Sequence, residues 1–440
     1  MPNVKILCLE VGGSANRITD IPAMDNLVVN SPFNRNYINA PQPGIGAVWK
    51  YRVIPEHRGK GIGGTSQINS MVYNRGNRLD YDHWAREYGA VGSDYASVLP
   101  YFKRWENNTD KDIVAANQGF HGTQGLVQVS IWTEPDPIIK IYHETIQGMG
   151  HRVTDINGPV QVGTAIVQAF ITGTGRRFSV SNAYIDPNKH TNNLVVLADV
   201  LVVRVLFTGR TATGFEYIRK GVRHVVSARR EVIVSAGAIN TPQLLMQSGV
   251  GPARHLLELS IPVKQYLQNH VQTDIYGFIK DDRLSKCSRQ LDASALTTDN
   301  QYQYFTNPGK DWPNISVEPR LRLAPTEASQ MAQTYERVAE WADYYRNYTG
   351  RHYLQMMLML QRVRSRGSLY LSSADLYDYP VYSSQLLTER RDFDNFVDVV
   401  SWALYLADCW RLAQYIEPVQ PVPGCHQCPK ANTCTSVTII

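Results

Sequence analysis

The feature that most constrains this chain is a run of glycines, Gly59-Lys60-Gly61-Ile62-Gly63-Gly64, followed by Thr65-Ser66. Glycine lacks a Cβ, so such a run suits a backbone that turns sharply or that something must approach closely. The spacing Gly59-x-Gly61-x-x-Gly64 matches a dinucleotide fingerprint letter by letter. A true fingerprint follows a strand directly and opens a helix inside a βαβ unit. Here Pro55-Glu56-His57-Arg58 precedes it instead. Two readings stay open. One is a backbone-exposing loop that meets an anion, with Thr65, Ser66 and Asn69 as added donors. The other is a tight turn before a helix-like stretch through Asn69 and Met71.

The remaining pattern alternates strand and helix signals. Val4 to Glu10 is a short apolar run ending in an acid and followed by Gly12-Gly13, which reads as a buried strand. Residues 80–108 carry a helical pattern. Residues 194–207 and 231–235 are rich in Val, Ile and Leu and read as strands; 214–219 and 222–227 add a hairpin. Pro242 to Gln247 reads as a helical turn with Pro in its first turn and Gly249 past its end. Residues 392–416 form an amphipathic helix, and Pro418 to Ile440 reads as tail. At 440 residues, the chain has room for roughly two or three domains.

Several function classes drop out. Lys plus Arg is 44 against 39 for Asp plus Glu, and the basic residues are scattered. Nucleic-acid binding needs a concentrated stripe, so that partner is not expected. No apolar run approaches the roughly 18–20 residues of a membrane span. There is no Gly-x-Ser-x-Gly elbow and no P-loop. Cys425, Cys428 and Cys434 with His426 have poor metal-ligand spacing, so no metal is expected. Met1 to Glu10 shows no signal-peptide core, which leaves localisation open; the compartment is extracellular only if a longer parent chain carries a signal peptide.

Two longer stretches carry a resemblance. Residues 59–82, GKGIGGTSQINSMVYNRGNRLDYD, and 237–251, GAINTPQLLMQSGVG, look like the two signature motifs of the glucose–methanol–choline (GMC) oxidoreductases. SVSNAYIDP at 179–187 and RVRSRGSLYLSSADLYDYPVY at 362–382 extend the similarity along the chain. The closest flavour is the arthropod glucose-dehydrogenase-like branch. The resemblance implies an α/β fold: an incomplete Rossmann-like FAD-binding domain, residues 1–272 and discontinuous, with an α+β substrate domain on an antiparallel sheet, residues 273–440. It implies FAD as cofactor and a small-molecule alcohol or sugar as substrate, with hydride passing to the flavin and an unspecified electron acceptor. By residue, Glu10 aligns with the acid that binds the adenosine ribose. Thr65, Asn69, Ser70 and Met71 align with the segment lining flavin and pyrophosphate, and Val202 with the strand position whose backbone meets the adenine. Ala236 and Gly237 align near the adenosine half.

The departures are equally specific. The family pattern places a strand and a glycine turn ahead of the segment that is Lys5 to Glu10 here, and a histidine-bearing catalytic segment beyond the equivalent of Ile440. From these departures the chain is expected to be truncated at both ends, to leave strand 4–10 without a neighbour, and to carry no catalytic residue of its own. An impaired oxidoreductase is then expected, with a redox-silent binding or structural paralogue as the alternative.

Overall fold

The computed structural model describes residues 4–14, 18–24, 28–46, 49–131, 136–188, 192–251, 270–281, 302–306, 315–323, 343, 346, 348, 350–375 and 377–418. Strand β1 (Ile6–Leu9) opens the chain. Helices α1 (Arg78–Glu87) and α2 (Tyr95–Trp105) follow, each started by a side-chain cap. Asn77 accepts from the Leu79 N–H and Asp94 from the Ser97 N–H, satisfying donors that a helix start leaves free. The helical pattern of 80–108 is therefore two helices, and its end is strand: β2 (Glu106–Asn108) pairs with β3 (Val127–Ile131).

Helix α3 (Pro137–Gly148) and strand β4 (Gly163–Ile166) come next, then β5 (Leu194–Leu197) and β6 (Val200–Thr208). The apolar run 194–207 is thus two strands, broken where Asp199 takes φ +57°. Strand β5 pairs in parallel with β1, from Ile6↔Leu194 to Leu9↔Leu197. This corrects the expectation that strand 4–10 has no neighbour: β5, distant in sequence, pairs with β1 along its whole length, with Ile6 N donating to Asn193 O and Glu10 N to Leu197 O. Strands β7 (Thr211–Arg219) and β8 (Val222–Ser227) continue from β6 as a three-stranded antiparallel sheet. The expected strand at Glu231–Ser235 does not form. That segment is irregular and Ile233 is 71% exposed, so its apolar composition found no sheet edge to pair with.

Helix α4 (Gly237–Gln247) begins five residues ahead of Pro242. Pro242 therefore lies inside it, where its missing N–H removes one rung. The second large unit is a five-stranded antiparallel sheet. Its strands are β9 (Val271–Phe278), β10 (Tyr302–Thr306), β11 (Ile315–Leu323) and β12 (His352–Leu360), with β4 at one edge. The spatial order is β9-β12-β11-β10-β4. An antiparallel sheet is what the resemblance implied for this half, although β4 enters it from the N-terminal part of the chain. Helix α5 (Arg390–Asp408) closes the order. The amphipathic pattern of 392–416 breaks at Cys409, and a short turn, Trp410–Ala413, follows.

The core lies between this sheet and two helices. Ile138, Ile139, Tyr142 and Ile146 of α3 meet Leu354, Met356 and Leu358 of β12 and Val399, Ala403, Leu406 and Ala407 of α5. The i, i+3, i+4 spacing of the α5 residues is what aims them at one face. The helix start is tied down by Asp392, fully buried, whose carboxylate accepts from the Arg364 and Ser365 N–H groups and the Ser365 hydroxyl. Among the described residues no helix is long and apolar enough to cross a membrane, and no group of three or more His, Cys, Asp or Glu is placed to hold a metal ion. The cysteines at 425, 428 and 434 lie outside the described residues.

Candidate functional site

Strand β1 runs into a corner that the glycine loop closes. The Glu10 N–H donates to Leu197 O at 2.9 Å, and Glu10 O accepts from Val200 N at 2.9 Å, so its backbone is held where β5 turns into β6. Its carboxylate accepts from the Gly12 N–H at 2.8 Å. Burial pushes the Glu10 pKa up, against the opposing pull of the Gly12 N–H, the Arg35 guanidinium and the Gly61 N–H. Gly12 then lies flat on the loop. A Cβ there would meet Lys60 C and O at 2.3 Å and Gly61 N at 2.4 Å, which only glycine avoids. Gly13 O accepts from Ile62 N at 3.0 Å and completes the junction.

The loop itself turns tightly into a single 3₁₀ turn, Gly64–Gln67, so the helix-like stretch expected through Asn69 and Met71 does not form. Gly64 takes φ +55° and faces open space: a Cβ there would meet nothing within 4 Å. Thr65 is exposed, and its hydroxyl oxygen accepts from the Gly59 N–H at 3.1 Å, closing the loop on itself. Asn69 Oδ1 accepts from the Met71 N–H at 3.1 Å. Met71 is buried with φ +59°, a left-handed conformation unusual for a residue other than glycine. Ser70 is half-buried between them. After Met71 the chain is caught by residues 168–170: Phe170 N donates to Met71 O and Tyr73 N to Gln168 O, both at 2.8 Å.

The six residues singled out by sequence thus fall into two adjoining groups. Glu10 sits at the β1 corner, and Val202 lies on the adjoining β6, opposite Tyr217 and two residues beyond Val200. Thr65, Asn69, Ser70 and Met71 line the glycine-loop exit, and the Gly12–Lys60 contact joins the groups. Ala236 stands immediately ahead of α4, with Gly237 at φ +88° and open. Residues Gln243 to Met246 pack inward, Met246 against Tyr37, Ile239, Leu369 and Leu371.

Behind the loop stands a buried polar network that the sequence did not announce. Glu106 accepts from His121 Nδ1 at 2.8 Å, from Asn108 Nδ2 at 2.8 Å and from the Gly122 N–H at 3.0 Å. His121 Nε2 lies 2.7 Å from Asp155 Oδ2, and Arg75 Nη1 lies 3.6 Å from Glu106. Burial disfavours a charge on His121, but the hydrogen bonds and charges of the two carboxylates outweigh it and push its pKa up to about 9. Burial likewise works against the charged form of Glu106, and the His121 and Gly122 donors still hold its pKa below the ordinary value. Arg75 Nη1 also donates to Phe120 O, and Asn157 bonds both the Arg75 N–H and Tyr73 O, fixing the chain just past Met71. A small polar cleft beside Arg75, Asn77 and Gln161 lies next to this network. A second arginine, Arg177, reaches the loop from the other side. The signal for these residues is weak: single His, Glu and Arg letters whose partners lie tens of residues away.

The fit to a dinucleotide is chemical. The left-handed Gly64 is open on its Cβ side, and an acid, Glu10, stands at the end of the first strand. The GMC oxidoreductase family model matches residues 38–272. An oxygen-dependent choline dehydrogenase of Burkholderia multivorans is 32% identical over 429 residues, covering 91% of this chain and 71% of that protein. The corresponding protein of Burkholderia vietnamiensis is similar to the same extent, 32% over 429 residues. Among solved structures, pyridoxine 4-oxidase from Mesorbium loti superposes with a TM-score of 0.80 at 21% identity, covering 98% of this chain and 80% of that one. A formate oxidase of Aspergillus oryzae gives 0.77 at 21%, covering 96% and 80%. At such identities the structures speak for the fold, a mixed α/β arrangement.

Proposed function

Because this chain belongs to the GMC oxidoreductase family, whose cofactor is FAD, we propose that it binds FAD at the β1 corner and glycine loop and oxidises a small CH–OH compound. The observation that carries this reading is the junction of Glu10 and Gly12 with Lys60 and Gly61, which sets an acid at the end of β1 against a glycine loop whose left-handed Gly64 is open. In this reading the Glu10 carboxylate takes the ribose hydroxyls. Thr65, Asn69, Ser70 and Met71 line the pyrophosphate and flavin, and the Val202 backbone meets the adenine. When bound, FAD supplies the two-electron acceptor that alcohol oxidation requires. No described residue is assigned here as the proton acceptor.

The choline dehydrogenases of Burkholderia make choline-like alcohols the first class to assay. The arthropod glucose-dehydrogenase-like branch, supported by the sequence signatures, makes sugars the second. We place the division between cofactor and substrate regions at residues 272 and 273, with β4 crossing into the sheet of the latter. The test is a visible spectrum of the purified chain with and without FAD, followed by turnover of choline and sugar alcohols with oxygen and with an artificial acceptor. Shifted flavin bands and acceptor reduction are expected. A chain that takes up FAD but turns over no alcohol would instead favour a redox-silent binding role.

A further inference from the structure

Arg177 is 2% exposed, and the Nε and Nη1 groups of its guanidinium bridge two distant segments. Its Nε donates to Thr19 O at 2.8 Å. Its Nη1 donates to Asn69 O at 2.6 Å, to Asn69 Oδ1 at 2.9 Å and to Ser66 O at 3.3 Å. Asn69 Oδ1 is the same atom that accepts from the Met71 N–H. The arginine therefore braces the turn that drives Met71 to φ +59°, a conformation a side-chain-bearing residue adopts only when its surroundings impose it. The segment behind Arg177 holds the other end of the loop. Val180 N donates to Ser66 Oγ at 3.1 Å, and that hydroxyl donates to Gly63 O at 2.6 Å. Arg177's own N–H is anchored on Asp20 O at 2.9 Å, so the brace is itself fixed.

We propose that Arg177 is a positioning residue for the cofactor: it locks Gly63 to Met71 in one backbone conformation and thereby sets the affinity for FAD. The inference rests on the FAD reading above. A lysine cannot replace it, because a single ammonium has no planar fork to reach Thr19 O on one side and Asn69 and Ser66 on the other.

Three full-length variants test this: Arg177→Met, Arg177→Lys and, as a control remote from the loop, Leu406→Ala in the buried core of α5. Two readouts are taken, backbone hydrogen exchange of peptides covering 63–72 without ligand, and the FAD dissociation constant from flavin fluorescence. Arg177→Met is expected to speed exchange in that segment and weaken FAD by about tenfold or more. Arg177→Lys should recover little of either, whereas Leu406→Ala should lower the melting temperature and leave both readouts unchanged. If Arg177→Met does not fold, Arg177→Lys carries the test. Wild-type exchange and wild-type affinity in the arginine variants would overturn the proposal, and so would an equal loss of affinity in Leu406→Ala. Faster exchange in Arg177→Met alongside a parent chain that takes up no FAD would leave the brace standing and overturn the FAD reading instead.

Discussion

In the five-stranded sheet, Leu354, Met356 and Leu358 lie under α3 and α5 with no exposed surface, while in the glycine loop Thr65 is exposed and Ser66 and Asn69 are half-buried. The sheet is held by apolar area removed from water, a force without direction that many side chains share. The loop is held by individual hydrogen bonds and one backbone-to-backbone approach at Gly12, each with a required geometry. A region of the first kind loses stability by degrees when a side chain shrinks. A region of the second kind loses its shape when a single donor or acceptor goes. Cofactor recognition needs the second kind, and the first supplies the stability that lets it stand exposed.

The largest effect expected from this contrast is on the sheet. Leu354→Ala should lower unfolding stability by about 2–5 kcal/mol through lost burial and a residual cavity, measured by urea denaturation. Its FAD affinity should match the parent's; a parallel loss of affinity would erase the distinction between the two regions.

The polar network behind the loop comes next. The His121 pKa is raised from 6.5 to about 9 in the folded chain. Its contribution, about 3 kcal/mol, is therefore fully present below pH 6.5 and is lost as pH rises through about 9. The melting temperature should fall between pH 7 and pH 10, and His121→Gln should flatten that fall. A parent profile that is flat over this range would show that the network is not charged as the geometry requires.

Smaller still are the ligand effects. Glu10→Ala should weaken FAD by about 10–100-fold, the loss of one or two hydrogen bonds to a charged group, with little change in melting temperature. Thr65→Val, which removes the acceptor of the Gly59 N–H, should weaken it by about 2–10-fold. Affinities equal to the parent's in isothermal titration would remove Glu10 and Thr65 from the site.

The legible parts of this fold were those set by short-range pattern. Residues 214–219 and 222–227 read as a hairpin, which forms with its first strand extended back to Thr211, and 392–416 read as an amphipathic helix, which forms over Arg390–Asp408. The signature stretches at 59–82 and 237–251 led to the family. Where the pattern misled, the missing term was a neighbour. Glu231–Ser235 has strand composition and no edge to join, while β1 lacks an adjacent strand in sequence yet pairs with β5 from nearly 190 residues further on.

What the sequence determined alone is therefore the family and the cofactor class, through the resemblance carried by the stretches at 59–82 and 237–251, and the short elements whose apolar periodicity acts over a few residues. The tertiary structure decided which distant groups meet. Arg177 reaches Asn69 across 108 residues. His121 settles between Glu106 and Asp155, 15 residues to one side and 34 to the other. A buried charge costs too much to stand alone, and its partners are chosen by the packing of whole elements rather than by the local chain.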